Sequence, residues 1–120
     1  GLAFAKGEED PRAVATTFES RFPAGIVRDR PWQAEAGLGE WFYRNGTFYD
    51  SGMVVRAMLE AVSRDGSYLI NIPLTPEGEL DPGGRRTLED LGAWMDVHGE
   101  GIHDSEAWAV WGEGAVAMPP

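Results

Sequence analysis

Cysteine is absent from the 120 residues, and histidine occurs only at positions 98 and 103. Without cysteine the chain can form neither a disulfide nor a thiolate metal site. His98 and His103 do not have the spacing of an HExxH motif, so a histidine-centred metal site or catalytic triad is not expected. The residues therefore predict neither a metal nor a cofactor.

Basic residues and long apolar runs are also scarce. Ten Lys and Arg stand against 20 Asp and Glu, which gives a formal net charge of −10. A phosphate backbone requires the opposite sign, so nucleic acid is not an expected partner, and an anionic membrane is disfavoured for the same reason. No apolar stretch approaches the ~20 residues of a membrane-spanning helix.

The hydrophobic pattern predicts one α/β domain with a modest core. Strands alternate with helices, which is typical of a parallel sheet with crossover helices. About four strand–helix units are too few for an eight-stranded barrel, which usually needs ~200 residues or more, so the count predicts half of one. Ser51 is the predicted cap of the first helix, and Gly99 the predicted cap glycine after the second. The predicted strands are 1–6, 32–38, 67–74 and 107–112, and the predicted helices are 51–64 and 85–98.

Carboxylates and aromatic residues are crowded together in "WQAEAGLGEWFY", residues 32–43. A sugar ring has an apolar face that stacks on tryptophan, and cleavage of its glycosidic bond needs a carboxylic acid as proton donor. In α/β barrels such residues lie at the carboxyl ends of strands and in the loops that follow. We therefore interpret this stretch as a barrel strand and a loop that presents aromatic rings to a sugar.

Three strings of residues carry a more specific signal. "RPWQAEAGLGEWFYRNG", "MLEAVSRDGSYLINIPLTPEGEL" and "LGAWMDVHGEGIHDSEAW" follow one another at close spacing. Together they resemble the C-terminal part of the catalytic barrel of the α-L-fucosidases of glycoside hydrolase family 29, and the middle string is the most specific. The resemblance runs from about Gly1 to Gly114 and leaves 115–120 as a tail. It implies the C-terminal half of a TIM-like (β/α) barrel, completed or covered by oligomerisation.

The resemblance also implies a retaining mechanism with a nucleophilic aspartate and a glutamate acid/base. The aspartate would follow the fourth barrel strand, upstream of these residues, and no "WFDG"-like strand end occurs in them. Glu19, in "TTFESRFPAGI", is similar in context to the acid/base glutamate. Ser20 stands where relatives often have arginine, and an ordinary exposed loop carboxylate is the alternative interpretation of Glu19.

Three further residues are candidates for substrate binding. Trp41 matches a family aromatic that lines the pocket near the fucose methyl group, and a core tryptophan at the barrel mouth is the alternative. Trp32 begins its strand, so packing is favoured over direct sugar contact. Glu35 would point toward the barrel interior or mouth, where a supporting role is plausible and a structural salt bridge is favoured.

Two functional hypotheses follow. In the first, the chain is part of a retaining α-L-fucosidase that acts on fucosylated oligosaccharides or glycoconjugates. It would need a missing N-terminal barrel half as partner, and alone it would be inactive. In the second, the chain is an inactive half-barrel that self-associates into a homo-oligomer, because half a barrel leaves strand edges and apolar surface uncovered. An intermediate hypothesis is a module that binds fucose weakly without cleaving it.

Overall fold

A computed structural model describes residues 4–6, 15–19, 21–44 and 48–113. Residues 7–11, whose sequence "GEEDP" is typical of a loop, and the predicted tail at 115–120 lie outside the described residues. The strands are β1 (Phe4–Lys6), β2 (Ala15–Glu19), β3 (Trp32–Gly37) and β4 (Ser67–Asn71). The helices are α1 (Ser51–Ser63) and α2 (Pro82–His98), and a short 3-10 helix covers Gly99–Gly101.

The strands form one four-stranded sheet in the order β1-β2-β3-β4. Strands β1 and β2 are parallel, with Phe4 opposite Ala15, and β2 and β3 are parallel, with Thr16 opposite Trp32. Just beyond β3, the Leu38 N–H donates to the carbonyl of Asn71, the last residue of β4, at 2.9 Å. The predicted α/β class and the parallel pairing of β1, β2 and β3 are therefore present.

Strand β2 was not among the predicted strands. Its sequence "ATTFE" is mostly polar and contains no apolar run that would predict a strand. It is a strand because its backbone pairs with β1 and β3. In the described residues no helix lies between β2 and β3, so the predicted alternation of strands and helices fails there.

The predicted strand at 107–112 is absent from the described structure. At Ala107 the backbone groups bond to side chains rather than to a neighbouring strand. Its N–H donates to Asp65 Oδ1 at 3.1 Å, and its carbonyl accepts from the Arg28 guanidinium. Trp108 and Val110 are exposed instead of being covered by a sheet.

Aspartates, not the predicted residues, begin both helices. Asp50 caps α1 by accepting the Met53 N–H on Oδ1 at 2.9 Å, so the assignment of the cap to Ser51 is wrong. Asp81 caps α2, and Pro82 occupies the first turn, where its missing N–H costs nothing. Strand β4 ends before Pro73, which has no N–H to donate to a ladder.

Gly99 follows α2 without the left-handed conformation that a cap glycine usually adopts. Its φ of −58° is right-handed, and its N–H donates to the Met95 carbonyl. The chain continues into the 3-10 helix, so the predicted glycine cap is wrong in its geometry. In the described part of the chain, no helix combines the length and apolarity needed to cross a membrane.

The chain divides into two compact units, and the first contains Gly1–Glu35, Ala57–Leu69 and Glu106–Pro120. Its core is built on Trp32, Ala34 and Ala61, with partly buried apolar residues around them. Trp32 is 2% exposed and meets the Phe18 ring edge-on, with ring centroids 5.4 Å apart. Its indole N–H donates to the Arg64 carbonyl at 3.2 Å, so the polar edge of the ring is satisfied inside the core.

Arg64 is buried in the same unit, although it is charged. Its guanidinium lies 3.8 Å from the centroid of the Trp111 ring and forms an ion pair with Glu60 one helical turn earlier. Its carbonyl also accepts the Val27 N–H at 3.1 Å. The residue after α1 thus connects the helix, the loop before β3 and the C-terminal segment.

The second unit contains Ala36–Arg56 and Ile70–Ser105. Helix α2 presents two adjacent glycines to the Phe48 ring, and a Cβ added at Gly84 would lie 3.1 Å from the Phe48 Cε1. Thr87, one turn further along α2, donates its hydroxyl to the Tyr49 carbonyl at 3.0 Å. The first turns of α2 therefore pack directly on the chain that enters α1.

We expect Gly66→Ala to destabilise the protein strongly. A Cβ at Gly66 would lie 2.3 Å from two atoms of the buried Trp32 ring, which has no free space to move into. Overpacking of a core typically costs about 1–3 kcal/mol, and so short a contact should lie at the upper end of this range. Urea unfolding followed by tryptophan fluorescence measures the loss.

The matched control is Gly92→Ala in the middle of α2, where nothing lies within 4 Å of the added Cβ. Alanine is the better helix former, so this variant should gain about 1 kcal/mol. Equal unfolding midpoints for the two variants would contradict the packing of Trp32 on Gly66.

Candidate functional site

Glu19 is the last residue of β2, at the carboxyl end of a parallel strand. Its backbone therefore ends a strand instead of lying in a loop, and strand ends of this kind carry reactive residues in α/β barrels. Its Cα is paired with that of Glu35 on β3. Adjacent strands are about 4.8 Å apart, so two carboxylate-bearing positions are neighbours across the ladder. The side chain of Glu19 lies outside the described part of the structure.

Glu35 is buried, with 8% of its surface exposed. A carboxylate in such a position needs polar partners to offset its desolvation. The burial of Glu35 therefore leaves little of its side chain accessible to a ligand.

Trp32, the other candidate on β3, lies in the core described above. Phe18, Ala34 and Ala61 surround it, and its N–H is already bonded to Arg64. Contact with a sugar would require this core to open. The packing that the sequence favoured for Trp32 is what the structure shows.

Trp41 lies in the second unit, in a loop that we call the aromatic loop, residues 38–49, of which 45–47 are not described. The Tyr49 N–H donates to the Leu38 carbonyl at 2.9 Å, and Gly39 and Phe48 form an antiparallel bridge. These contacts close the base of the loop. Gly37 permits the turn that enters it, because a Cβ there would lie 2.8 Å from the Gly39 carbonyl oxygen.

Two side-chain hydrogen bonds hold the exposed part of the aromatic loop. Asn71, at the end of β4, donates from Nδ2 to the Trp41 carbonyl at 3.0 Å. The Tyr43 hydroxyl donates to Asp81 Oδ2 at 2.9 Å. The Trp41 side chain remains available at the surface, since the residue is 46% exposed. Asn71 thus satisfies a backbone carbonyl of the loop.

Sequence reasoning missed Asp81. The order Asp-Pro before a helical pattern is a sufficient signal for a helix cap. The bond to Tyr43 gives no such signal, because 38 residues separate the two partners.

Two other polar side chains, Thr75 and His98, do not join these groups. Thr75 accepts the Glu79 N–H on its hydroxyl at 3.1 Å and so closes its own turn. His98 packs on Trp94, with ring centroids 4.9 Å apart. Among the residues that the structure describes, there is no group of three or more metal-ligating side chains.

Comparison with known proteins identifies relatives over most of the chain. The α-L-fucosidase family model matches residues 5–100. The tissue α-L-fucosidase of Rattus norvegicus is 26% identical over 79% of this chain. The plasma α-L-fucosidase of Pongo abelii is 33% identical over 77% of it. The two alignments span only 22% and 21% of those proteins, so this chain matches about a fifth of the length of its relatives.

A solved structure agrees with these relatives. α-L-fucosidase isoenzyme 1 from Paenibacillus thiaminolyticus superimposes with a TM-score of 0.76 and 29% identity. The superposition covers 88% of this chain and 27% of that one. The described strands and helices thus have counterparts in part of a larger catalytic protein.

The Tyr43–Asp81 bond affects the titration of the phenol. The pKa of Tyr43 is raised above its ordinary value of 10.0, first because its proton is held by Asp81, then through partial desolvation and the negative charges of Asp81 and Glu77. Because the folded state holds the proton more tightly than the unfolded state does, the bond stabilises the fold fully below about pH 10. This contribution is lost as the pH rises through the raised pKa.

We expect Asp81→Asn to lower the pKa of Tyr43 toward its ordinary value. Asparagine retains the helix cap but carries no charge and is a weaker acceptor. A carbon NMR titration of ring-labelled tyrosine measures the change, with Tyr43→Phe to identify the signal. An identical Tyr43 titration in the parent and in Asp81→Asn would contradict the bond.

Proposed function

The chain belongs to the α-L-fucosidase family, and we propose that it is part of a retaining α-L-fucosidase that hydrolyses terminal α-L-fucosyl linkages. Fucosylated oligosaccharides or glycoconjugates are the proposed substrates. Residues 1–114 are proposed to form the C-terminal half of the (β/α) barrel, with 115–120 as a tail. The parallel pairing of β1, β2 and β3 supports that architecture.

One observation carries the catalytic assignment: Glu19 ends a parallel strand, next to Glu35 in the ladder. Glu19 is the proposed acid/base. It would protonate the glycosidic oxygen as the leaving group departs, and then remove a proton from the water that cleaves the fucosyl–enzyme. Glu35, buried beside it on β3, has a proposed supporting role.

The nucleophile is proposed to come from residues outside these 120. A retaining glycosidase needs a second carboxylate about 5 Å from the acid/base, on the opposite face of the anomeric carbon. The aspartate implied by the family would fill this place. The chain alone is therefore expected to be inactive, and a barrel completed by fusion to the upstream strands is expected to be active.

Trp41 is the proposed aromatic surface for the sugar. Its exposed indole can stack on the apolar face of fucose, while a hydrogen bond from Asn71 holds its backbone carbonyl. Trp32 is assigned to the core of β3, where it supports the strand without touching the sugar.

The assignment of Glu19 is tested by Glu19→Gln in the completed barrel. Glutamine keeps the shape but cannot donate a proton, so fucosides with poor leaving groups should react about 100-fold slower. An activated aryl fucoside needs little acid assistance, so its fucosyl–enzyme should form and accumulate. Azide, which needs no general base, should restore turnover and give a fucosyl azide of retained configuration.

Two variants serve as controls for Glu19→Gln. Glu89→Gln makes the same chemical change on an exposed face of α2 and should leave both rates unaltered. Trp41→Ala should weaken sugar binding by about 1 kcal/mol without any rescue by azide. If Glu19→Gln slows both kinds of substrate equally and azide has no effect, Glu19 is not the acid/base.

Exposed apolar residues in the first unit favour a second candidate, a self-associating half-barrel without activity. Trp108 is 73% exposed, Val110 50% and Leu69 43%. Large apolar side chains left exposed in this way are candidates for contact with another chain or domain.

We expect the isolated chain to form a homo-oligomer at micromolar concentration. Contact with a second copy of the chain would bury the exposed apolar side chains and pair the strands at the sheet edges. Sedimentation velocity measures the mass, and Trp108→Ser should shift the equilibrium toward the monomer. A sharp monomer in the parent protein would rule out self-association.

A further inference from the structure

The exposed part of the aromatic loop is held by two elements that follow it in sequence. The base of the loop is closed by its own backbone, through Leu38 and Tyr49. Further out, Trp41 is bonded to Asn71 from the end of β4, and Tyr43 to Asp81 from the start of α2. The position of the base of the loop and the position of its exposed rings thus depend on different contacts.

Asp81 uses its two carboxylate oxygens for two tasks. Oδ1 accepts the Gly83 N–H at 2.8 Å and caps α2, and Oδ2 accepts the Tyr43 hydroxyl at 2.9 Å. A side chain already fixed by capping loses little further freedom when it binds Tyr43. The carboxylate is therefore a preorganised acceptor for the loop.

The same helix turns contact the loop again at its far end. Phe48 packs on Gly83 and Gly84, and the Thr87 hydroxyl donates to the Tyr49 carbonyl at 3.0 Å. The start of α2 and its cap thus contact the aromatic loop at Tyr43, in the middle of the loop, and at Phe48 and Tyr49, at its C-terminal end. The loss of the Asp81 carboxylate should therefore loosen the middle of the loop, around Tyr43, and leave its base at Leu38 and Tyr49 in place.

We propose that Asp81 and Asn71 are positioning residues for the sugar site, because they fix the backbone and the phenol on either side of the Trp41–Tyr43 segment and so orient the Trp41 ring. The inference rests on the proposed function of Trp41 as a surface for fucose. Neither residue needs to touch the substrate. Each acts through the aromatic loop.

The first test uses the 120-residue chain and measures amide hydrogen exchange in the peptide that contains residues 40–44. Tyr43→Phe removes only the donor, and Asp81→Ser keeps a good helix cap while removing the acceptor. Both should exchange about fivefold faster in this peptide, as expected for the loss of one hydrogen bond. Tyr68→Phe, which removes a phenolic hydroxyl in the other unit, should leave the exchange rate of this peptide unchanged.

The second test uses the completed fucosidase barrel and separates binding from chemistry. Tyr43→Phe should raise KM about fivefold and leave kcat within twofold, since it displaces the Trp41 ring and not the acid/base. In a Trp41→Ala background the same change should have no further effect on KM, because the ring through which it acts is gone. A general loss of stability would instead lower the active fraction in both backgrounds alike.

Two results would overturn the inference: exchange in peptide 40–44 at the parent rate in both variants, or KM effects of Tyr43→Phe and Trp41→Ala that simply add. A parent barrel that hydrolyses no fucoside would overturn the proposed function, and with it any role at a sugar site. An active parent with additive KM effects would overturn the positioning role alone. The two failures are therefore distinguishable.

Discussion

The Trp32 ring lies against Gly66, so closely that no side chain fits between them. Its N–H is bonded to the Arg64 carbonyl, and the Arg64 guanidinium is covered by Trp111 and paired with Glu60. A buried cation is tolerated only with such partners, since desolvation alone would be costly. The turn after α1, the start of β3 and the segment around Trp111 are thereby held in one arrangement. Other packing in the first unit, including that of Phe18, is built around it.

A strand fixed in this way sets the position of the carboxylates. Because β2 pairs with β3 in parallel register from Thr16 to Glu19, the placement of Trp32 also determines which residue of β2 stands beside Glu35. A slip of one residue would exchange the two faces of β2. The chemistry proposed for Glu19 therefore depends on a core contact at the opposite end of the same ladder.

In the second unit, two large apolar rings are exposed to solvent. Trp41 and Phe42 are 46% and 82% exposed, which gives them little packing to restrain them. Polar contacts replace packing: Asn71 holds the backbone, and Asp81 holds the neighbouring phenol. A stacking surface for a sugar benefits from rigidity, because a ring that is already ordered loses less entropy when a ligand binds.

Local sequence determined much of this protein. The apolar spacing predicted α1 and most of α2, and three strings of residues indicated the family. The pair Asp65-Gly66 is typical of a turn, and the structure has a turn there. Strand β2 could not be predicted in this way, because "ATTFE" becomes a strand by pairing with two neighbours and not through its own pattern. For the same reason 107–112 resembles a strand but is not one in the described structure. The sequence by itself thus determined the helices, the turn and the candidate Glu19, whereas only the tertiary structure decided that Glu19 ends a strand and that Tyr43 meets Asp81. Local preferences act over a few neighbouring residues, while ladders and side-chain contacts depend on segments that meet only when the chain has folded.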